Sequence, residues 1–203
     1  MRFVASNHMV DLERENIDIA IRYVPAGQPA PSQDRLFDYR QFPVCAPRLA
    51  RERPLRTAAD LAQHVLLDFE TVLYGRPWYD WAQWFAAMKL RNIRGAGWLR
   101  FSHYDQVIEA AVKGSGVAIG KLPHLRHHLH DGVLVAPLGE QGVATLGAFY
   151  IEVAPSAPPE VAAPFVAWLH AEAKRDESES PGPVKARRAP RSARPAASSR
   201  KIH

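Results

Sequence analysis

The apolar residues of this chain switch repeatedly between two spacings, every second position and every third or fourth, and that alternation limits the folds open to it. In Ile17-Asp-Ile-Ala-Ile-Arg-Tyr23, residues Ile17, Ile19, Ile21 and Tyr23 share one side, the period of two that a half-buried strand requires. Trp78, Trp81, Trp84, Phe85 and Met88 instead form one stripe at helical spacing, predicting a helix that ends near Leu90 with the stripe as core packing. Further strands are expected at residues 3–5, 65–69, 98–101, 117–120, 133–135 and 146–153, with extended structure over 36–46 and a proline-rich loop over 24–33. Helical signals fall between them. A brief helix is expected at 10–15, and Thr57 caps another, with Asp60 in its first turn, through about His64. Ser102 or His103 caps a helix that carries Val107, Ile108, Ala111 and Val112 inward until Gly114 and Gly116 stop it. A short helix follows at 123–130, and Pro158-Pro159 opens a last one whose Val161, Phe165, Trp168 and Leu169 share a face. Strands and helices in alternation predict an α/β architecture with largely parallel sheets.

Charge separates a body from a tail. The 203 residues carry a formal charge of +5, yet seven of the 26 Lys and Arg residues lie beyond Pro181, where there is no acid. The remaining 19 bases face 21 acids, so the body is slightly acidic and is no platform for nucleic acid. From Asp176 onward the chain is rich in Glu, Ser, Pro, Ala and Arg with almost no large apolar side chain, and is expected to be a disordered basic tail over 176–203. One cysteine, Cys45, excludes an internal disulfide and a multi-cysteine metal site, and reads as a small buried hydrophobe. No apolar run reaches the length of a membrane span, and the start lacks a secretory signal, so a cytoplasmic protein without membrane contact is expected.

Several chemistries find no signature. There is no nucleophile elbow, zinc-helix motif or dinucleotide turn, and Gly120-Lys-Leu-Pro123 lacks the flanking residues of a phosphate loop. His124, His127, His128 and His130 lie close together, but no acid or cysteine accompanies them at ligand spacing, so a solvated histidine face is the stronger reading. Neither metal, cofactor nor catalysis is expected.

The segments Val10-Asp-Leu-Glu-Arg-Glu-Asn-Ile-Asp-Ile-Ala-Ile-Arg-Tyr23, Arg35-Leu-Phe37, Phe42-Pro-Val-Cys-Ala-Pro47, Leu55-Arg-Thr-Ala-Ala-Asp-Leu61, Leu99-Arg-Phe-Ser102 and Ala110-Ala-Val-Lys-Gly-Ser-Gly-Val-Ala-Ile119 occur in this order. Together they resemble the regulatory domain of LysR-type transcriptional regulators, in the branch similar to the glycine-cleavage activator, over about residues 2–173. The resemblance implies a two-lobed domain similar to type II periplasmic binding proteins. Its first lobe would hold residues 1–44 and 147–175, its second 45–146, and residues 42–46 and 146–153 would form the hinge strands. It also implies a first lobe that is incomplete and a chain truncated before a helix-turn-helix. The expected function is to sense a small metabolite and control transcription, as a homo-oligomer or with a full-length relative. DNA contact would come only through the absent head or non-specifically through the tail. A nucleic-acid-associated protein acting through that tail and a stand-alone metabolite-binding protein are the alternatives.

The effector-binding residues expected are Arg22, Tyr23, Ser102, His103, Tyr104, Phe149 and Tyr150. Ser102, His103 and Tyr104 stand at a helix N-terminus, whose unpaired N–H groups and partial positive charge suit an anionic or zwitterionic ligand. In the related domains this segment lines the cleft; otherwise Ser102 simply caps the helix. Arg22 and Tyr23 end a strand, where ligands of α/β sheets gather, and Arg22 could meet a carboxylate or bridge to Asp18 or Glu15. Of Phe149 and Tyr150, one faces the cleft and the other the core, with the phase left open. As a cleft residue, Tyr104 is expected to contribute little to folding.

Overall fold

The computed structural model describes residues 2–6, 8–73 and 75–179, and most of the basic tail lies outside them. Among the described residues, seven strands form one sheet: β1 (Ile19–Pro25), β2 (Arg35–Val44), β3 (Val65–Leu73), β4 (Arg76–Tyr79), β5 (Gly97–Phe101), β6 (Val117–Leu122) and β7 (Ala144–Val153). The same residues form the α-helices α1 (Pro47–Glu52), α2 (Asp80–Ala87), α3 (Tyr104–Val112), α4 (Arg126–His130) and α5 (Pro159–Glu179). The strand order is β1-β7-β2-β6-β3-β4, with β5 beside the first half of β3.

Two long strands tie the sheet together. β2 pairs with β7 from Arg35 to Gln41 and with β6 from Arg40 to Val44, so it belongs to both halves. Because β2 and β7 run in opposite directions through the middle, four of the six pairings among the described residues are antiparallel. The expectation of largely parallel sheets is therefore corrected. Parallel pairing is confined to β6-β3-β5, where α3 supplies the crossover that such strands need.

That parallel half is covered on both faces, as its unbroken apolar runs require. Neighbouring residues diverge: Leu67 and Ala118 pack with Val107, Ile108 and Ala111 of α3, while Leu66, Val117 and Ile119 pack with Trp81 and Trp84 of α2. The other half has a far smaller core, Leu12 with Ala154, Ala157 and Ala162.

Local signals account for some element ends. Asp60 reaches back to accept the Thr57 N–H at 2.8 Å, starting the 3₁₀ helix Ala58–Gln63. Gly114, at φ 79°, closes α3 in the left-handed conformation while the Ser115 N–H bonds Ala110 O at 3.0 Å. Other expectations are corrected. Residues 3–5 form no strand, and Phe3 is 80% exposed. Residues 12–16 make a turn rather than a helix, bonded by Asp11 Oδ1 to the Arg14 N–H. Residues 133–135 contribute only the bridge between Val135 and Cys45. Trp78 leaves the helical stripe for β4, and α5 buries Ala162 while Val161 and Trp168 stay exposed. α5 also continues through Glu179, past the point at 176 where the tail was expected to begin.

Candidate functional site at the junction of the two strand groups

β5 ends at Phe101, and two exposed residues, Ser102 and His103, lead into α3. His103 holds the N-cap position with extended backbone, and no side chain caps the helix there. Its first-turn N–H groups thus end at a solvent-facing corner. Tyr104 turns the other way. Its hydroxyl donates to Ile119 O at 3.1 Å, its ring lies 4.1 Å from Lys121 Nζ, and it meets Phe69 edge-on at 5.9 Å. It packs against the α3 core, which corrects the expectation that it matters little to folding.

Beneath Tyr104 lies a buried group of charges. Lys121 on β6 is 6% exposed and its Nζ stands 2.7 Å from Asp80 Oδ2, at the start of α2. Trp78 Nε1 donates to the other Asp80 oxygen at 2.8 Å, and the Trp81 N–H donates to Asp68 Oδ1 at 3.1 Å. Burial opposes charge on every member: it raises Asp80 and lowers Lys121, while their mutual attraction works against both shifts. Burial, reinforced by Asp80, pushes Asp68 up to about 6. Gln41 on β2 sits directly opposite Lys121 in the β2-β6 register. It is fully buried, with its amide within hydrogen-bonding reach of the Tyr39 phenol.

An aromatic layer adjoins these charges. Tyr23, Phe149 and Phe37 face one another across β1, β7 and β2, with ring centroids 5.6 and 5.0 Å apart. Tyr39 adds its ring 4.8 Å from Tyr23, whose hydroxyl donates to Leu146 O at 3.0 Å. Gly147 makes room for this: a Cβ there would lie 2.1 Å from Val24 O and 2.8 Å from the Tyr23 ring. Trp78, from the β3-β4 hairpin, reaches Tyr23 at 6.0 Å. A continuous path therefore runs from Tyr23 through Trp78, Asp80 and Lys121 to Tyr104.

Tyr23 and Tyr104 lie on that path, Phe149 packs against Tyr23 at its aromatic end, and Ser102 and His103 stand at its α3 end. Arg22 and Tyr150 do not. They pair with each other on the opposite face of the sheet, so the phase left open on β7 puts Phe149 with Tyr23. Arg22 ion-pairs with Glu152, rather than with Asp18 or Glu15, and donates to Val10 O at 2.6 Å. Sequence reasoning missed Gln41, Asp68, Asp80 and Lys121. The available signal was a charge inside an apolar strand, as in Val65-Leu-Leu-Asp-Phe69 and Val117-Ala-Ile-Gly-Lys121.

Elsewhere, burial pushes the Cys45 thiol up to about 12, so it holds no thiolate at neutral pH. His124 packs against Tyr104 and is lowered by burial, while His130 binds Asp131 at 2.9 Å. No group of three potential metal ligands gathers among the described residues, and none of their helices is long and apolar enough to cross a membrane.

A family model described as the LysR substrate binding domain matches residues 1–174. The chain is 30% identical over 152 residues to the glycine cleavage system transcriptional activator of Escherichia coli K12, covering 74% of this chain and 48% of that protein. It is 38% identical over 136 residues to the HTH-type transcriptional regulator TrpI of Pseudomonas aeruginosa, covering 64% and 43%. It thus spans about half the length of these curated relatives. The effector domain of the regulator AmpR of Pseudomonas aeruginosa superposes with a TM-score of 0.61 at 25% identity, covering 85% of this chain and 80% of that one.

Proposed function

This chain belongs to the family of LysR substrate-binding domains, and we propose that it holds a small effector in a cleft hinged at β2 and β7. Its fold is the α/β fold of LysR effector-binding domains, which have two lobes similar to periplasmic binding proteins. We divide it into residues 1–44 with 147–175 and residues 45–146. The observation that carries the proposal is the meeting of Trp78, from one strand group, with Tyr23, from the other, beside the uncapped start of α3. An anionic or zwitterionic ligand would place its carboxylate on the N–H groups at Ser102, His103 and Tyr104. Its apolar body would lie against Tyr23 and Phe149. Arg22 is already paired with Glu152 and Tyr150 shares its face, so these two set the position of β1 and β7.

The relatives are named as regulators of transcription, which supports a role in a cytoplasmic regulator that binds DNA through a separate domain and catalyses nothing. Ligand closure of the lobes would change how subunits pair. The test is thermal melting against amino acids and small organic acids, since a ligand selective for the native state adds RT ln(1 + [L]/Kd) of stability. Phe149→Ala is expected to weaken the response at least about tenfold, and Tyr150→Ala to leave it unchanged. The reverse pattern would place the cleft on the other face.

A further inference from the structure

We propose that the open edge of β1 is a docking surface for a second copy of this chain, which pairs with it antiparallel about a two-fold axis at Ile21. β1 ends the strand order and has one neighbour, β7, among the described strands. Its sequence, Ile19-Ala-Ile-Arg-Tyr-Val-Pro25, is an apolar run broken only by Arg22, of the kind carried by strands that are covered on both faces. Yet no residue of β1 is buried, whereas every residue of β6 is. Ile21 is 46% exposed, and Val153, on the same face opposite Ile19, is 42% exposed.

The backbone defines the kind of partner that fits. The Ala154 N–H bonds Asp18 O and the Ala26 N–H bonds Leu146 O, each at 2.9 Å, so the even-numbered positions of β1 face β7. Ile19 and Ile21 therefore turn their N–H and C=O groups to the open edge, where an extended strand can pair them. Natural edges are often blunted by charge, but the one charged residue of β1, Arg22, is neutralised by Glu152 of β7.

Self-complementarity favours a second copy over an unrelated strand. With Ile21 opposite its counterpart, Ile19 falls opposite Tyr23, Ala20 opposite Arg22 and Ile17 opposite Pro25. No two charges of β1 meet. The ladder also ends alike on both sides, because Pro25 has no N–H and the Ile17 N–H is already bonded to Leu12 O at 2.9 Å. β1 has a single open edge, so this pairing consumes it in both copies and closes at a dimer. The contact is small, and a reversible association in the micromolar range is expected.

Sedimentation velocity of the full chain over a concentration series should show a monomer–dimer equilibrium. Ile21→Lys sets two ammonium groups face to face at the axis and should weaken it at least about tenfold, while Ile21→Val should leave it within about twofold. In the dimer, Ile21→Cys should be joined to its counterpart by a short bis-maleimide. Ile19→Cys should not, since the register sets its two copies roughly 13 Å apart. The native Cys45 is buried with its thiol raised, so it stays silent. If the lysine variant does not fold, the two cysteine variants still read the register. A monomer at every concentration, an equilibrium that Ile21→Lys leaves unchanged, or equal cross-linking through positions 19 and 21 overturns the proposal. None of these outcomes depends on ligand binding, so the effector reading stands or falls separately.

Discussion

Replacing Asp68 by Asn should stabilise the protein at neutral pH and do nothing at pH 4. Asp68 is 2% exposed on β3, and its carboxyl is raised from 3.8 to about 6, chiefly by burial and then by Asp80. A shift of about two units corresponds to roughly 3 kcal/mol of penalty against the ionised form in the folded state. The folded protein holds this proton more tightly than the unfolded chain, so between about pH 6 and 4 the folded state gains stability as pH falls. Above pH 6 the whole penalty is present; below about 4 it has vanished. Asn keeps the oxygen that accepts the Trp81 N–H and cannot ionise. The variant should therefore gain about 2–3 kcal/mol at pH 7, or roughly 5–10 °C in melting temperature for a chain of this size. Urea unfolding of both proteins at pH 4, 5, 6 and 7 gives the difference directly, free of groups that titrate alike in each. A loss of stability at pH 7, or a gain of equal size at pH 4 and 7, refutes the reasoning.

His64 is buried with both ring nitrogens unpartnered, and burial lowers its pKa, so its share of stability is present above about pH 6.5 and is lost as pH falls below it. His64→Leu should flatten that part of an acid unfolding curve followed by tryptophan fluorescence. Lys121→Met leaves Asp80 buried without its ion partner and should cost about 3–5 kcal/mol in urea unfolding, most of it recovered in the Asp80→Asn, Lys121→Met double variant. Gly147→Ala drives a methyl group into Val24 O and the Tyr23 ring, so it should lower the melting temperature and abolish any ligand response together.

The elements that the sequence revealed are those whose cause lies within a few residues. The alternation around Ile19 and Ile21, the Asp60 carboxylate on the Thr57 N–H and the glycine that ends α3 each need only neighbours. Sheet direction does not work that way. β2 and β7 are separated by a hundred residues, and nothing local in either states that they pair antiparallel. Trp78 differs from its expected place because a spacing of three positions to Trp81 suits a hairpin-to-helix turn as well as a helix.

Pairing over distance also explains why the candidate site was only half legible. A helix N-terminus at Ser102 and His103 follows from local signals, but the charge cluster needs Asp80 and Lys121, from α2 and β6, to meet at 2.7 Å. Arg22 looks like a free guanidinium until β7 brings Glu152, 130 residues away, beside it. Register then assigns the aromatic pair. Tyr23 stands opposite Phe149 and Arg22 opposite Tyr150, and a slip of one residue between β1 and β7 would exchange the two faces completely. Gly147 resists that slip, because a Cβ at this position would meet the Tyr23 ring and Val24 O where β1 pairs with β7. A backbone position without chemistry of its own thus helps to decide which side chains share the face of Tyr23.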